Sequence, residues 1–176
     1  MKLCSLFMSG LVLLSAGMAA AAELKVGDDA PDFSLVGSDG KTYKLSDFKG
    51  KQAVVVAWFP RAMTRGCTAE CKSFKADGAK MREYEVAYFT ASNDPVEKNK
   101  EFAKQVEADY PILSDPDSSV AKKFGVLNAG GTAAQRWTYY IGADGKILFI
   151  DKSVKTMSHG SDVAAKLKEL GVEEKK

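Results

Sequence analysis

Apolar and polar positions along this chain switch between two periods, and the switches mark its elements. Ala53-Val54-Val55-Val56-Ala57-Trp58-Phe59 is an unbroken β-branched and aromatic run that stops at Pro60, as expected of a buried strand. Val86-Ala87-Tyr88-Phe89-Thr90-Ala91-Ser92 reads as a second such strand. Tyr110-Pro111-Ile112-Leu113-Ser114 reads as a shorter third, followed by the turn Asp115-Pro116-Asp117. Between the first two the spacing turns helical: Cys67, Cys71, Phe74 and Gly78 share one face of a helix predicted over 67–83. Gly78 weakens that helix but lets it pack closely on the sheet. A second helix is expected after Asn93-Asp94-Pro95, with Asn93 or Asp94 as N-cap and Phe102 and Val106 on its apolar face.

Residues 118–124 predict a short helix stopped by Gly125, and the polar stretch 128–135 predicts a loop. Arg136-Trp137-Thr138-Tyr139-Tyr140-Ile141 is a strand, turned by Ala143-Asp144-Gly145 into its partner over 146–151. An amphipathic helix over 161–170 and a charged, frayed tail over 173–176 end the chain. At the other end lie an extended lead-in over 25–35, the turn Ser38-Asp39-Gly40-Lys41 and a short strand over 42–45. Strands alternating with helices, closed by a hairpin and one helix, specify an α/β fold with a central mixed β-sheet and helices on both faces. No second domain, internal repeat or low-complexity linker interrupts it.

Composition adds bounds. The chain has 176 residues and a formal charge of +2, which suits one domain with a real core and offers no basic excess for nucleic acid. Residues 1–22 stand apart: Lys2, then an apolar run, then Ala19-Ala20-Ala21-Ala22 before Glu23. Ala20-x-Ala22 is a small-residue cleavage site of the secretory type, and the run falls short of the roughly 20 apolar residues a membrane span needs. The expectation is a cleaved signal peptide over 1–22, a mature domain over 23–176, a periplasmic or secreted location and no membrane attachment after cleavage. Cys4 leaves with the leader.

The mature chain then keeps Cys67 and Cys71 in a compartment that permits disulfides. Two cysteines four residues apart close too small a loop to restrict the unfolded chain much, so a redox or metal role is favoured over a static staple. Cys67 falls at the start of a predicted helix, where unpaired N–H groups and the positive end of the dipole favour the nucleophilic thiolate. Arg61 and Arg65 push the same way if their side chains turn inward. Plainer roles stand beside these. Cys71 is also a good small hydrophobe for a core, Thr64 a cap, Glu70 a solvated face and Arg136 a surface arginine. Trp58, Phe59, Trp137 and Tyr139 read as core or pocket wall. His159, the single histidine, reads as a loop or cap residue and not as a catalytic base.

The pattern Pro60-x-x-x-Thr64-x-x-Cys67 directly after an apolar strand resembles the active-site signature of the peroxiredoxins, thiol peroxidases on a thioredoxin-like fold. The resemblance extends over roughly residues 25–170, and the lead-in with its short strand looks like the N-terminal hairpin of that group. It implies Cys67 as the attacking sulfur and Thr64 as a hydroxyl donor to thiolate and peroxide. It implies Pro60 as the shaper of the loop and shield of the sulfenic acid, Arg136 as the distant arginine on sulfur and peroxide, and Glu70 as the acid that orients Arg136. Backbone N–H groups of Gly66 and Cys67 would complete the anion site. Cys71 would be the resolving thiol, as in the PrxQ or bacterioferritin-comigratory subgroup, with two departures. That subgroup usually places the second cysteine five residues on, here it is four, and Arg65 stands where it often has proline. A gap of four puts both sulfurs on one helical face with Cα atoms near the upper end of the disulfide range, so the first turn must unwind or distort when the bond forms. A one-cysteine mechanism with an outside thiol stays open.

The implied function is reduction of hydrogen peroxide or organic hydroperoxides, with a thioredoxin-like protein or small thiol as reductant and the chain a monomer or homodimer. No nucleotide, flavin or haem motif is present, so no cofactor is predicted. Two rivals remain. Cys-x-x-x-Cys on this fold also resembles the Sco copper chaperones, although their ligand histidine precedes the strand before the final hairpin, where this chain has Arg136. A thiol–disulfide oxidoreductase is the other, although it normally uses Cys-x-x-Cys.

Overall fold

A computed structural model describes residues 23–176, and the leader expected over 1–22 lies outside the described residues. The apolar runs become the middle of one seven-stranded sheet. Its strands are β1 (Ser34–Gly37), β2 (Thr42–Lys44), β3 (Ala53–Trp58), β4 (Val86–Ser92), β5 (Ile112–Ser114), β6 (Thr138–Ile141) and β7 (Ile147–Asp151). They lie in the order β2-β1-β5-β4-β3-β6-β7. β3, β4 and β5 run parallel, while β1, β2, β6 and β7 pair antiparallel. Every residue of β3 is buried, as a central strand covered on both faces requires.

The helices are α1 (Arg65–Ala76), α2 (Gly78–Met81), α3 (Val96–Val106), α4 (Ser119–Lys123) and α5 (His159–Glu169). Odd positions of β3, such as Val55 and Ala57, pack with Cys71 and Phe74 of α1, Phe102 and Val106 of α3, and Val163 and Leu167 of α5. Even positions, Val54, Val56 and Trp58, pack with Val120 and Ala121 of α4 and with Phe33, Leu45 and Phe124. Helices therefore cover both faces of a mixed sheet, with more helix on the α1 side.

Several local expectations need correction. The helix predicted over 67–83 breaks at Asp77 into α1 and α2. The break comes just before Gly78, a poor helix former, where α5 also packs close: a Cβ on Gly160 would stand 2.2 Å from the Ser73 carbonyl oxygen. Neither Asn93 nor Asp94 caps α3; Pro95 holds that position, and the Asp94 carboxylate is taken by the Ala62 N–H at 2.7 Å and the Lys98 ammonium at 2.6 Å. Strand β6 begins at Thr138, two residues beyond Arg136. The tail is not frayed through 175: Glu85 N–H donates to the Glu173 carbonyl at 2.7 Å and Lys175 N–H to the Glu83 carbonyl at 2.7 Å.

Candidate active site

The site forms where β3 ends. Phe59 N–H donates to the Ala91 carbonyl at 2.9 Å, which keeps the chain in the sheet up to Pro60. The chain then turns back within a few residues. Ala62 N–H is held by Asp94, and Met63 takes a left-handed conformation (φ 67°) that non-glycine residues seldom adopt. Burial pushes the Asp94 carboxyl up, but Lys98, the Ala62 amide and Ser92 outweigh it and leave the group below its ordinary value. Thr64 is the N-cap residue of α1, and its carbonyl accepts from Thr68 N–H at 2.9 Å.

Cys67 is thus the third residue of α1, buried at 1% exposure. By position, the N–H groups of Arg65, Gly66 and Cys67 have no acceptor within the helix, and no acidic residue lies in the first turn to occupy the positive end of the dipole.

Arg136 arrives from the far side of β3. Trp58 N–H donates to the Trp137 carbonyl at 2.8 Å, which pins the residue before β6 beside the end of β3. Arg136 Nη2 donates to Cys67 Sγ at 3.4 Å, and Nη1 donates to Glu70 Oε2. The guanidinium is about one-fifth exposed while Glu70 is closed off from water. Gly66 faces it, since a Cβ there would stand 3.4 Å from Nη2. The structure therefore brings together Cys67, Glu70 and Arg136, from a helix and a pre-strand loop far apart in sequence.

The remaining residues sit differently. Pro60 is half-buried at the start of the loop, and Thr64 is exposed. The Thr64 hydroxyl does not point its proton at sulfur; it donates to the Arg61 carbonyl at 3.0 Å. Arg61 and Arg65 are exposed and do not turn inward. Cys71 is fully buried one turn behind Cys67, and both thiols are free. Burial pushes the Cys71 thiol up to about 12, against the pull of the Tyr110 and Thr90 hydroxyls. Tyr110 Oη also donates to the Cys71 carbonyl at 2.8 Å.

Sequence reasoning missed two contributors. Asp94, read as a helix cap, tethers the loop at Ala62. His159, read as a loop or cap, is the first residue of α5 and 1% exposed, with Nδ1 3.0 Å from Glu70 Oε1 and Nε2 2.9 Å from Thr138 Oγ1. Nothing in Met157-Ser158-His159-Gly160 signals this except Gly160, whose missing Cβ lets α5 meet α1. Among the described residues, no three His, Cys, Asp or Glu side chains are grouped to hold a metal ion.

Chemically, a sulfur at a helix N-terminus beside a guanidinium held by a buried carboxylate is arranged for nucleophilic attack with charge stabilisation on the atoms it meets. Comparison with known proteins gives the family. Residues 26–150 match the AhpC/TSA family. The chain is 37% identical over 152 residues to Peroxiredoxin Bcp of Escherichia coli, covering 83% of this chain and 97% of that one. It is 30% identical over 153 residues to Peroxiredoxin Bcp of Bacillus subtilis, covering 84% and 97%. The crystal structure of Peroxidoxin BcpB from Mycobacterium tuberculosis superposes with a TM-score of 0.75 at 34% identity, covering 84% of this chain and 98% of that one.

Proposed function

The chain belongs to the AhpC/TSA family of thiol-dependent peroxidases, and on that premise we propose that it reduces hydrogen peroxide or small organic hydroperoxides at Cys67 in an exported compartment. The observation that carries the assignment of the sulfur is the Arg136 fork, with one nitrogen on Cys67 Sγ at 3.4 Å and the other on Glu70.

In the proposed reaction, the thiolate of Cys67 attacks one peroxide oxygen in line with the O–O bond. A sulfur–oxygen bond forms, the O–O bond breaks, and the departing oxygen takes a proton to leave as water or alcohol. Arg136 and the free N–H groups of Gly66 and Cys67 stabilise charge on the two oxygens as they separate. The product on Cys67 is a sulfenic acid. Thr64 serves the incoming peroxide once its hydroxyl swings away from the Arg61 carbonyl. Pro60 packs the loop that keeps bulk water off the sulfur.

Resolution follows by an intramolecular disulfide. The Cys71 sulfur displaces the Cys67 hydroxyl, which leaves as water, and a thioredoxin-like protein or small thiol restores both thiols. A buried thiol pushed up to about 12 does not do this in the intact helix, so the first turn of α1 must open first. That turn is weakly held: Thr64 makes no side-chain capping bond, and Arg65-Gly66 includes the poorest ordinary helix former. The leader expected over 1–22 supports an exported setting.

The test is to treat the reduced mature protein with one equivalent of hydrogen peroxide and map its mass and disulfides within seconds. Loss of two hydrogens, mapped to a Cys67–Cys71 bond, is expected. A gain of one oxygen on Cys67 with Cys71 untouched would keep the peroxidase and move resolution to an outside thiol. No reaction at either sulfur would overturn the assignment.

A further inference from the structure

His159 stands behind the site and has no part in the chemistry above. Its ring lies 5.0 Å, centroid to centroid, from Phe74 of α1, and its two nitrogens meet a second residue of that helix and one of β6. Nδ1 is 3.0 Å from Oε1 of Glu70, and Nε2 is 2.9 Å from the Thr138 hydroxyl at the start of β6. Chemistry fixes who donates. The ionised Glu70 carboxylate offers only lone pairs, so Nδ1 must carry the proton facing it. Nε2 is then the acceptor, and the Thr138 hydroxyl, which rotates freely, donates to it. The opposite tautomer would set a lone pair of nitrogen against a carboxylate oxygen in a space closed to water.

The Nδ1–Oε1 approach is close but off the line of a well-formed hydrogen bond, and among the described residues neither atom has another partner. Oε1 therefore depends on the imidazole for what compensation it receives. The other oxygen of the same carboxylate receives Arg136 Nη1, whose sister nitrogen donates to Cys67 Sγ. The contacts form one chain: Thr138 to His159, His159 to Glu70, Arg136 to Glu70, Arg136 to Cys67.

We infer that His159 is a positioning residue for the peroxidase, holding the Glu70 carboxylate at the angle that sets Arg136 on the Cys67 sulfur. The inference rests on the reading of Cys67 as the attacking sulfur. Attachment of α5 does not itself require the imidazole, because Gly160 N–H donates to Ser73 Oγ at 3.0 Å and Val163 and Leu167 pack in the core. Loss of the imidazole would leave Oε1 buried with no donor, and the carboxylate would turn in search of one, taking the arginine with it.

Four single variants and one double variant test this by the second-order rate of Cys67 oxidation under limiting peroxide, with thermal melting recorded for each. In His159→Leu the rate should fall about tenfold, the effect of leaving one buried carboxylate oxygen with no compensating group. His159→Asn, whose amide reaches the place of Nδ1, should recover most of the loss. His159→Gln, whose amide reaches the place of Nε2, should not. In a Glu70→Gln background, His159→Leu should add little, because both act through the same arginine. A His159→Leu protein at the wild-type rate would overturn the inference, as would equal rates for His159→Asn and His159→Gln or losses that simply add to Glu70→Gln. If His159→Leu does not fold, the comparison of Asn with Gln still decides. A wild-type protein that fails to oxidise at Cys67 would sink the peroxidase reading itself, a different result from any of these.

Discussion

Arg136 divides one planar fork between a sulfur and a carboxylate, and a lysine cannot reproduce that. Arg136→Lys keeps the charge but loses the paired donors, so the rate of Cys67 oxidation by peroxide should drop about a hundredfold, as when a preorganised charge-stabilising donor is removed. Stopped-flow fluorescence of the reduced protein would measure it, and a loss under threefold would demote the arginine. His159 carries a second prediction, about stability. Burial pushes its imidazolium down to about 4 from the ordinary value of 6.5, Arg136 adds to this, and Asp151 and Asp162 oppose it. The folded protein thus binds fewer protons than the unfolded chain between those values. Stability from this group is complete above about pH 6.5 and is lost as pH falls toward 4, by about 3 kcal/mol in all. Urea unfolding at intervals across that range should show the decline, and His159→Asn should flatten it.

Among the elements, α1 carries the consequences. Its face of Cys67, Cys71 and Phe74 was legible from helical spacing alone, because a buried stripe repeats with the helix. Its end was not legible, because Gly78 alone did not say that the helix breaks there, and the approach of α5 beside it is encoded by no local pattern. That approach depends on Gly160. A Cβ there would fall 2.2 Å from a backbone oxygen that cannot move aside, so Gly160→Ala should cost about 1–3 kcal/mol, seen as a lowered melting temperature. An unchanged melting temperature would mean that the helices separate freely. The other end of α1 should behave in the opposite way. Cys71 is anchored through its carbonyl to Tyr110, whereas the first turn has no side-chain cap. On oxidation, hydrogen exchange should quicken by about tenfold or more over residues 65–70 and stay slow over 73–76. Uniform protection in both states would exclude opening of the first turn.

For the molecule as a whole, the order of strands and helices was legible because each buried run is long, apolar and bounded by proline, glycine or polar turns. Sheet topology and the meeting of Arg136 with Cys67 were not legible from periodicity or spacing. The resemblance implied that meeting; the sheet brings it about by setting the residue before β6 beside the end of β3 through the Trp58–Trp137 bond. Asp94 and His159 escaped notice for the same reason, since each acts through a contact that exists only after distant elements pack. The burial of Cys71 reaches furthest beyond the resting structure. In the proposed resolution by Cys71, a sulfenic acid on Cys67 waits on a local unfolding step, and unfolding rates climb about 3–6-fold per 10 °C. A second peroxide striking the waiting sulfur meets no such obstacle and leaves a sulfinic acid that thiols do not repair. Cold should therefore turn this enzyme against itself: at a fixed peroxide dose, the fraction permanently inactivated grows as temperature falls, so that its tolerance of oxidant is set by how readily one helix loosens.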